Sequence, residues 1–249
     1  MDPITSLLAG GMTSRLDSLD LLANNIANAS SAGYKADRER FSAFLSADLA
    51  EALATGETRK ASEIPMVEDR FTEFRQGTFL ETGVATDVAL DGEGFFSVET
   101  PRGVRYTRAG RFHLERDGEL RTREGYRVRV KQTRDPKRLA ADPAQPIRVT
   151  PRGEIFQGEN RLGVMDRVGF GRPDLLRKEE AVYFRAVEGM TELARETPVV
   201  SGSLEASNVD AAAGSFRLVE TTRQFGMLNR AFTLHDGLQR GLIERVAKW

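Results

Sequence analysis

Cysteine is absent from the 249-residue chain, which excludes disulfides, thiolate nucleophiles and cysteine-held metals. This fits the cytosol, and equally a protein exported by a route that builds no disulfides. Histidine is almost as scarce. His113 and His235 are the only imidazoles, and neither has a second His four residues away to share a metal. No apolar run approaches the ~18 residues a membrane span needs. The amino terminus lacks the basic region, compact apolar stretch and small-residue cleavage site of a secretory signal. A net charge of −1, from 36 basic and 37 acidic residues, argues against a generic polyanion binder. The recognisable catalytic loops are missing too. Ser203 lacks the flanking glycines of a nucleophile elbow, and Gly92-Glu93-Gly94 has no following Lys-Ser/Thr to make a phosphate loop.

What the chain does have is an apolar stripe at each end. Ile4, Leu8, Met12, Leu16, Leu19, Ala23 and Ile26 recur at spacings of four and three, so they predict a helix over 4–26. Phe225, Leu228, Phe232, Leu238, Leu242 and Val246 predict a second one. Neither helix buries such a stripe alone, so the two are expected to pair as a helical base carrying everything between them. Gly33 is placed to stop the first helix, and Asn24, Asn25 and Asn28 call for either fraying or hydrogen bonds to a neighbour, because amide side chains disfavour helix interiors.

Between the ends the period changes to two. Val88 and Leu90, Phe96 and Val98, Val104 and Tyr106, Phe112 and Leu114, then Tyr126, Val128 and Val130 alternate between turns marked by Asp91-Gly92, Ala109-Gly110, Asp117-Gly118 and Glu124-Gly125. That pattern predicts an antiparallel β meander, with Arg127, Arg129 and Lys131 on a wet basic face. Pro151-Arg152-Gly153 marks a further hairpin. The fold class is therefore α+β: terminal helices over 1–35 and 204–249, a connector over 36–70 in which Leu45, Leu49 and Leu53 could continue a helix, and a β-rich middle over 71–203. Charge is segregated along it. Residues 36–99 carry 14 acidic and 6 basic side chains, net −8; residues 102–138 carry 5 acidic and 13 basic, net +8. Such blocks pair within the chain or with a second copy. Glu115 and Asp117 are a carboxylate pair of the kind a glycosidase uses, although acidic residues at turns are usually just solvated, while the basic run 121–138, with one Tyr, is too poor in aromatics for nucleic acid.

Four ordered strings resemble one family. Leu21 to Lys35, with its Asn24-Asn25-Ile26-Ala27-Asn28 core and closing Gly33-Tyr34-Lys35, is similar to the amino-terminal signature of the flagellar rod and hook axial proteins, with Ser30 or Ser31 where Thr is more usual. Gln76-Gly77, Thr82-Gly83 and Asp87 to Phe96 resemble the central signature, and Tyr106 to Phe112 the next. Gly202 to Asp210, containing Ser207-Asn208-Val209, resembles the carboxy-terminal one, followed by Ala211-Ala212-Ala213-Gly214 in place of an acidic, Met-rich turn. Arg223, Phe225, Arg230 and Asp236 fall at matching positions of the last helix.

The resemblance implies a structural subunit of the flagellar basal-body rod, nearest a proximal component, with a distal rod or hook-type subunit as the alternative. It implies no reaction, cofactor or metal. Partners would be copies of itself, other rod subunits and the export apparatus, with no nucleic acid and no stable membrane insertion; the location would be the basal body, in the periplasm after export. The expected assembly interface comprises Leu8, Met12, Leu16, Leu19, Asn24, Asn25, Ile26, Asn28, Gly33, Tyr34, Lys35, Ser207, Asn208, Val209, Arg223, Phe225, Phe232, Leu238 and Leu242. An enzyme or β-rich binding module acting on the cell wall is the reading from another class.

Overall fold

The computed structural model describes residues 3–44, 64–132 and 141–246; the expected helical continuation at Leu45, Leu49 and Leu53 lies outside them. Among the described residues two α-helices, α1 (Pro3–Ala27) and α2 (Ala211–Val246), precede and follow antiparallel sheets in the sequence, an α+β architecture. The chain divides into two compact units. One, the helical unit, is built from both ends of the chain together with residues 37–71. The other is β-rich and holds residues 28–36 and 72–209.

In the helical unit, α1 starts at Pro3, where a missing N–H is harmless, and α2 starts behind Asp210, whose Oδ1 accepts from the Ala213 N–H at 3.0 Å as an N-cap. Glycines sit where the helices approach: a Cβ on Gly214 would lie 3.2 Å from Ile26 Cγ1, and one on Gly11 3.6 Å from Leu228 Cδ1. The described part of the region read as a connector forms a two-stranded sheet of Asp37–Phe44 and Ile64–Thr72. It changes which face of α1 is buried. Ser14, Ser18, Leu21 and Asn25 are the covered residues, Ser18 donating to Glu39 Oε2 at 2.7 Å, whereas Leu16 of the expected stripe is half exposed. The apolar period located the helix; a neighbouring strand edge with polar groups to satisfy selected a different side of it.

In the β unit the largest sheet has nine strands among the described residues. Its central strand Phe95–Thr100 pairs with Gly103–Thr107 as a hairpin and with Arg127–Val128. The order is not that of a meander. Gly103–Thr107 takes Tyr183–Arg185 as its other neighbour, and Val88–Leu90 pairs with Val199–Ser201 instead of the next strand. A four-stranded sheet runs Val130–Gln132, Asn160–Met165, Glu154–Gln157, Arg148–Val149, and contains the expected hairpin around Pro151-Arg152-Gly153. Because strand side chains alternate, adjacent Phe95 and Phe96 serve two cores. Phe96 packs edge-on to Phe112 among Val88, Leu90 and Ile155; Phe95 joins Phe74, Phe170 and Phe184 in an aromatic cluster.

Candidate functional site

The four strings that resemble one family are scattered from residue 21 to residue 210, yet parts of all four meet at one buried point in the β unit. The chain leaves the first string through Gly33 at φ +70°, a left-handed conformation that favours glycine. The helix has already ended at Ala27, so Gly33 is a corner and not the helix stop. Its missing side chain matters twice, since a Cβ there would lie 2.2 Å from the Ala109 nitrogen. Beyond the corner Tyr34 and Lys35 are completely buried.

Lys35 Nζ donates to Glu205 Oε1 and, at 2.8 Å, to the Arg75 carbonyl. Arg108 Nη1 reaches Glu205 Oε2 at 3.2 Å, and the Gly77 N–H reaches Glu205 Oε1 at 3.0 Å. The Gly33 N–H takes the Glu205 carbonyl at 2.7 Å. Side-chain exposure is 0% for Lys35 and Glu205 and 5% for Arg108. One carboxylate therefore serves two buried cations. Burial holds the Lys35 amino group below the ordinary lysine range, against the pull of Glu205. Arg108 also lies over the Phe95 ring at 5.4 Å. Lys178 closes the other side, donating to the Lys35 carbonyl at 2.6 Å and standing 4.2 Å above the Tyr34 ring.

Asn208 completes the arrangement by acting as a piece of backbone. Its Oδ1 accepts from the Ala36 N–H at 2.7 Å, and its Nδ2 donates to the carbonyls of Glu73 and Arg75 at 2.7 and 3.1 Å. In the helical unit Asn25 does the same for Asp37, accepting from its N–H at 3.0 Å and donating to its carbonyl at 2.9 Å. Helix-disfavouring amides at these positions are thus explained by pairing to extended chain. Asn208→Ala would orphan buried backbone groups, and we expect it to lower stability by about 2–4 kcal/mol, measured as a shift in the urea midpoint at constant slope.

The expected interface residues separate into distinct settings. Gly33, Tyr34, Lys35 and Asn208 lie inside the β unit, with Ser207 and Val209 half-buried beside them. Asn25 is buried in the helical unit; Leu8, Met12, Leu19 and Ile26 are half-buried, Leu16 and Asn24 exposed; Asn28 is half-buried at the start of the β unit. On α2, Phe225 and Phe232 are half-buried, Arg223 is exposed and Leu238 is 69% exposed, while the Leu242 side chain lies outside the described residues. Glu205, Arg108, Gly77 and Gly110 were part of the strings but not of the expected site. No local spacing links Lys35 to a carboxylate 170 residues away.

The basic block finds its partners mainly within the chain. Arg127 pairs with Glu99 and Glu119, Arg121 with Asp117 and Glu119, and Arg105 with Glu179. The carboxylate pair weighed for catalysis is committed elsewhere. The Arg121 hydrogen bond holds the Asp117 carboxyl below the usual range, the wrong direction for a general acid, and Glu115 lies 3.4 Å from His113 in the open. Among the described residues no group of side chains is arranged to hold a metal.

The chain thus has a β unit closed by an ion-paired knot and a second unit that holds both terminal helices. Residues 89–157 match the family described as the flagellar hook protein FlgE/F/G D1 domain. Across 97% of its length the chain is 30% identical to the flagellar basal-body rod protein FlgF of Caulobacter vibrioides, covering 96% of that protein. It is 28% identical to the flagellar basal-body rod protein FlgG of Bacillus subtilis over 96% of its length and 98% of the relative, and 35% identical to the flagellar hook protein FlgE of Brucella abortus over 47% of its length and 28% of that protein. The chain belongs to the flagellar rod and hook family of axial proteins.

Proposed function

We propose that this chain is a structural subunit of the bacterial flagellar basal-body rod, polymerising through its terminal helices into a helical tube that transmits torque. The observation that carries the reading is α2. At 3.6 residues per turn, Leu218, Phe225, Leu228 and Phe232 fall within about 80° of one another and are half-buried, whereas Phe216, Val219, Met227, Leu234 and Leu238 fall within about 100° on the opposite side. That second stripe is exposed, Phe216 by 79% and Leu234 by 70%. Leu238 belongs to it and not to the stripe of Phe225 and Phe232. An apolar side of a long helix left to water marks an interaction surface. Neighbouring copies and other rod subunits are the partners, the terminal helices forming the base of the tube. The site of assembly is the basal body within the periplasm, reached through the flagellar export apparatus.

A rod position suits the chain better than a hook position, because it spans nearly the whole of the rod relatives and only 28% of the hook relative. No helix among the described residues is long and apolar enough to cross a membrane. The test is Phe216→Asp with Leu234→Asp. Each should weaken self-association by roughly 2 kcal/mol or more, read by sedimentation and by loss of motility in a complemented strain, with the monomer's unfolding midpoint unchanged. Unimpaired assembly in the double variant would refute the reading.

A further inference from the structure

The knot is closed by a segment that arrives late in the chain. Residues 199–208 pair with Val88–Leu90 and Phe79–Glu81, place Val199 and Leu204 in the interior, and bring Glu205 between Lys35 and Arg108. Every other part of the receiving surface lies upstream: the Gly77 N–H, the Thr78 carbonyl that accepts from Ala206, and the carbonyls of Glu73 and Arg75 that take the Asn208 amide.

We propose that the β unit contains a receptor for one extended peptide, a buried-leucine strand with a carboxylate one residue on and an amide four residues on, and that it folds only when residues 203–208 occupy it. The reason is electrostatic. Without Glu205 the same closure would bury the Lys35 ammonium and the Arg108 guanidinium with no counter-charge, which is far costlier than leaving both in water. The receptor therefore stays hydrated and open, with the Lys35 end of the chain undocked, until the carboxylate comes. Long sequence separation adds to the delay, since the loops closed span 97 and 170 residues. A chain delivered amino terminus first is thus kept from completing its β unit until about four-fifths of it is available. This holds whatever the chain assembles into.

Two measurements on the full-length protein test it. In the unmodified chain, the amides of Gly33, Gly77 and Ala206 should exchange with solvent through the same opening as those of Val88 and Met165, because the receptor and the core open together. Knot amides that exchange through a separate opening at least about 100-fold easier, with Val88 and Met165 still protected, would overturn the proposal. In the Leu204→Ala/Glu205→Ala chain, the folding equilibrium should fall by roughly 100-fold or more. A synthetic peptide spanning residues 199–210 should then raise the thermal midpoint of the β unit, or restore its near-ultraviolet dichroism if the variant is unfolded. The same peptide carrying Glu205→Ala should bind at least about tenfold more weakly, since it lacks the carboxylate that pairs with both Lys35 and Arg108. No rescue up to the peptide's solubility, or equal rescue by both peptides, would sink the idea.

Discussion

Gly110→Ala is expected to unfold the β unit. Gly110 does not have a left-handed backbone, so the effect is steric and not conformational. A Cβ built on it would lie 1.6 Å from the Val88 carbonyl oxygen and 2.7 Å from the carbonyl carbon. The obstacle is backbone, which cannot swing aside as a long side chain does. The Gly110 loop and the Val88 strand must separate, and that breaks the bond from the Val88 N–H to the Gly110 carbonyl at 2.9 Å. Val88, Ala89 and Leu90 are completely buried and also pair with Val199–Ser201, so moving them disturbs the core on both sides. A cost above about 5 kcal/mol, at the severe end of single substitutions, reaches the roughly 5–15 kcal/mol by which a whole domain is held folded. Circular dichroism should show a chain with helix but without a cooperative β transition. A well-folded Gly110→Ala protein would mean that the strands meet differently.

Glu205→Ala should cost about 3–5 kcal/mol, the range for removing one partner of a buried ion pair, and Lys35→Met distinctly less. The asymmetry follows from counting charges in the knot. Removing Glu205 strands Lys35 and Arg108 together and takes the acceptor from the Gly77 N–H. Removing the Lys35 ammonium leaves Glu205 still matched by Arg108 and by Gly77, and a methionine of similar volume refills the space. Urea titrations of the two single variants and the double variant give the comparison directly. If Lys35→Met were the more damaging, packing around the lysine stem and not charge pairing would be what the knot supplies. The sign of the pH dependence is fixed as well. Lys35 has a folded-state affinity for protons lowered by burial, so its titration adds stability as pH rises toward the ordinary lysine range.

Much of the architecture was legible in local pattern. The first helix, expected over 4–26, occupies Pro3–Ala27, and Phe95, Phe96 and Phe112 do line the interior. Hairpins closed by short glycine turns were legible too, because a turn and its two strands are neighbours in sequence. Pairings between distant segments were not. Val88–Leu90 ends in Leu90-Asp91-Gly92 and reads as one arm of a hairpin, but its partner lies more than a hundred residues away. The covered face of α1 was hidden for a related reason. Ser14 and Ser18 look like a solvent face until a strand edge needing hydrogen-bond partners is placed against them. The knot shows the same limit in sharper form. Lys35, Arg108 and Glu205 each have sequence neighbours that say nothing of one another; all three lie in the strings that resemble one family, but only Lys35 was among the expected site residues.

The two-sided greasiness of α2 also fixes the valence of the molecule. One side is answered within the subunit, so each copy arrives with a single unmet side running along most of a helix about 54 Å long. If two such sides met face to face, the pair would be saturated and growth would stop. If instead that side lands on a different patch of the next copy, every addition exposes a fresh acceptor, and the product is a fibre whose length is set by supply.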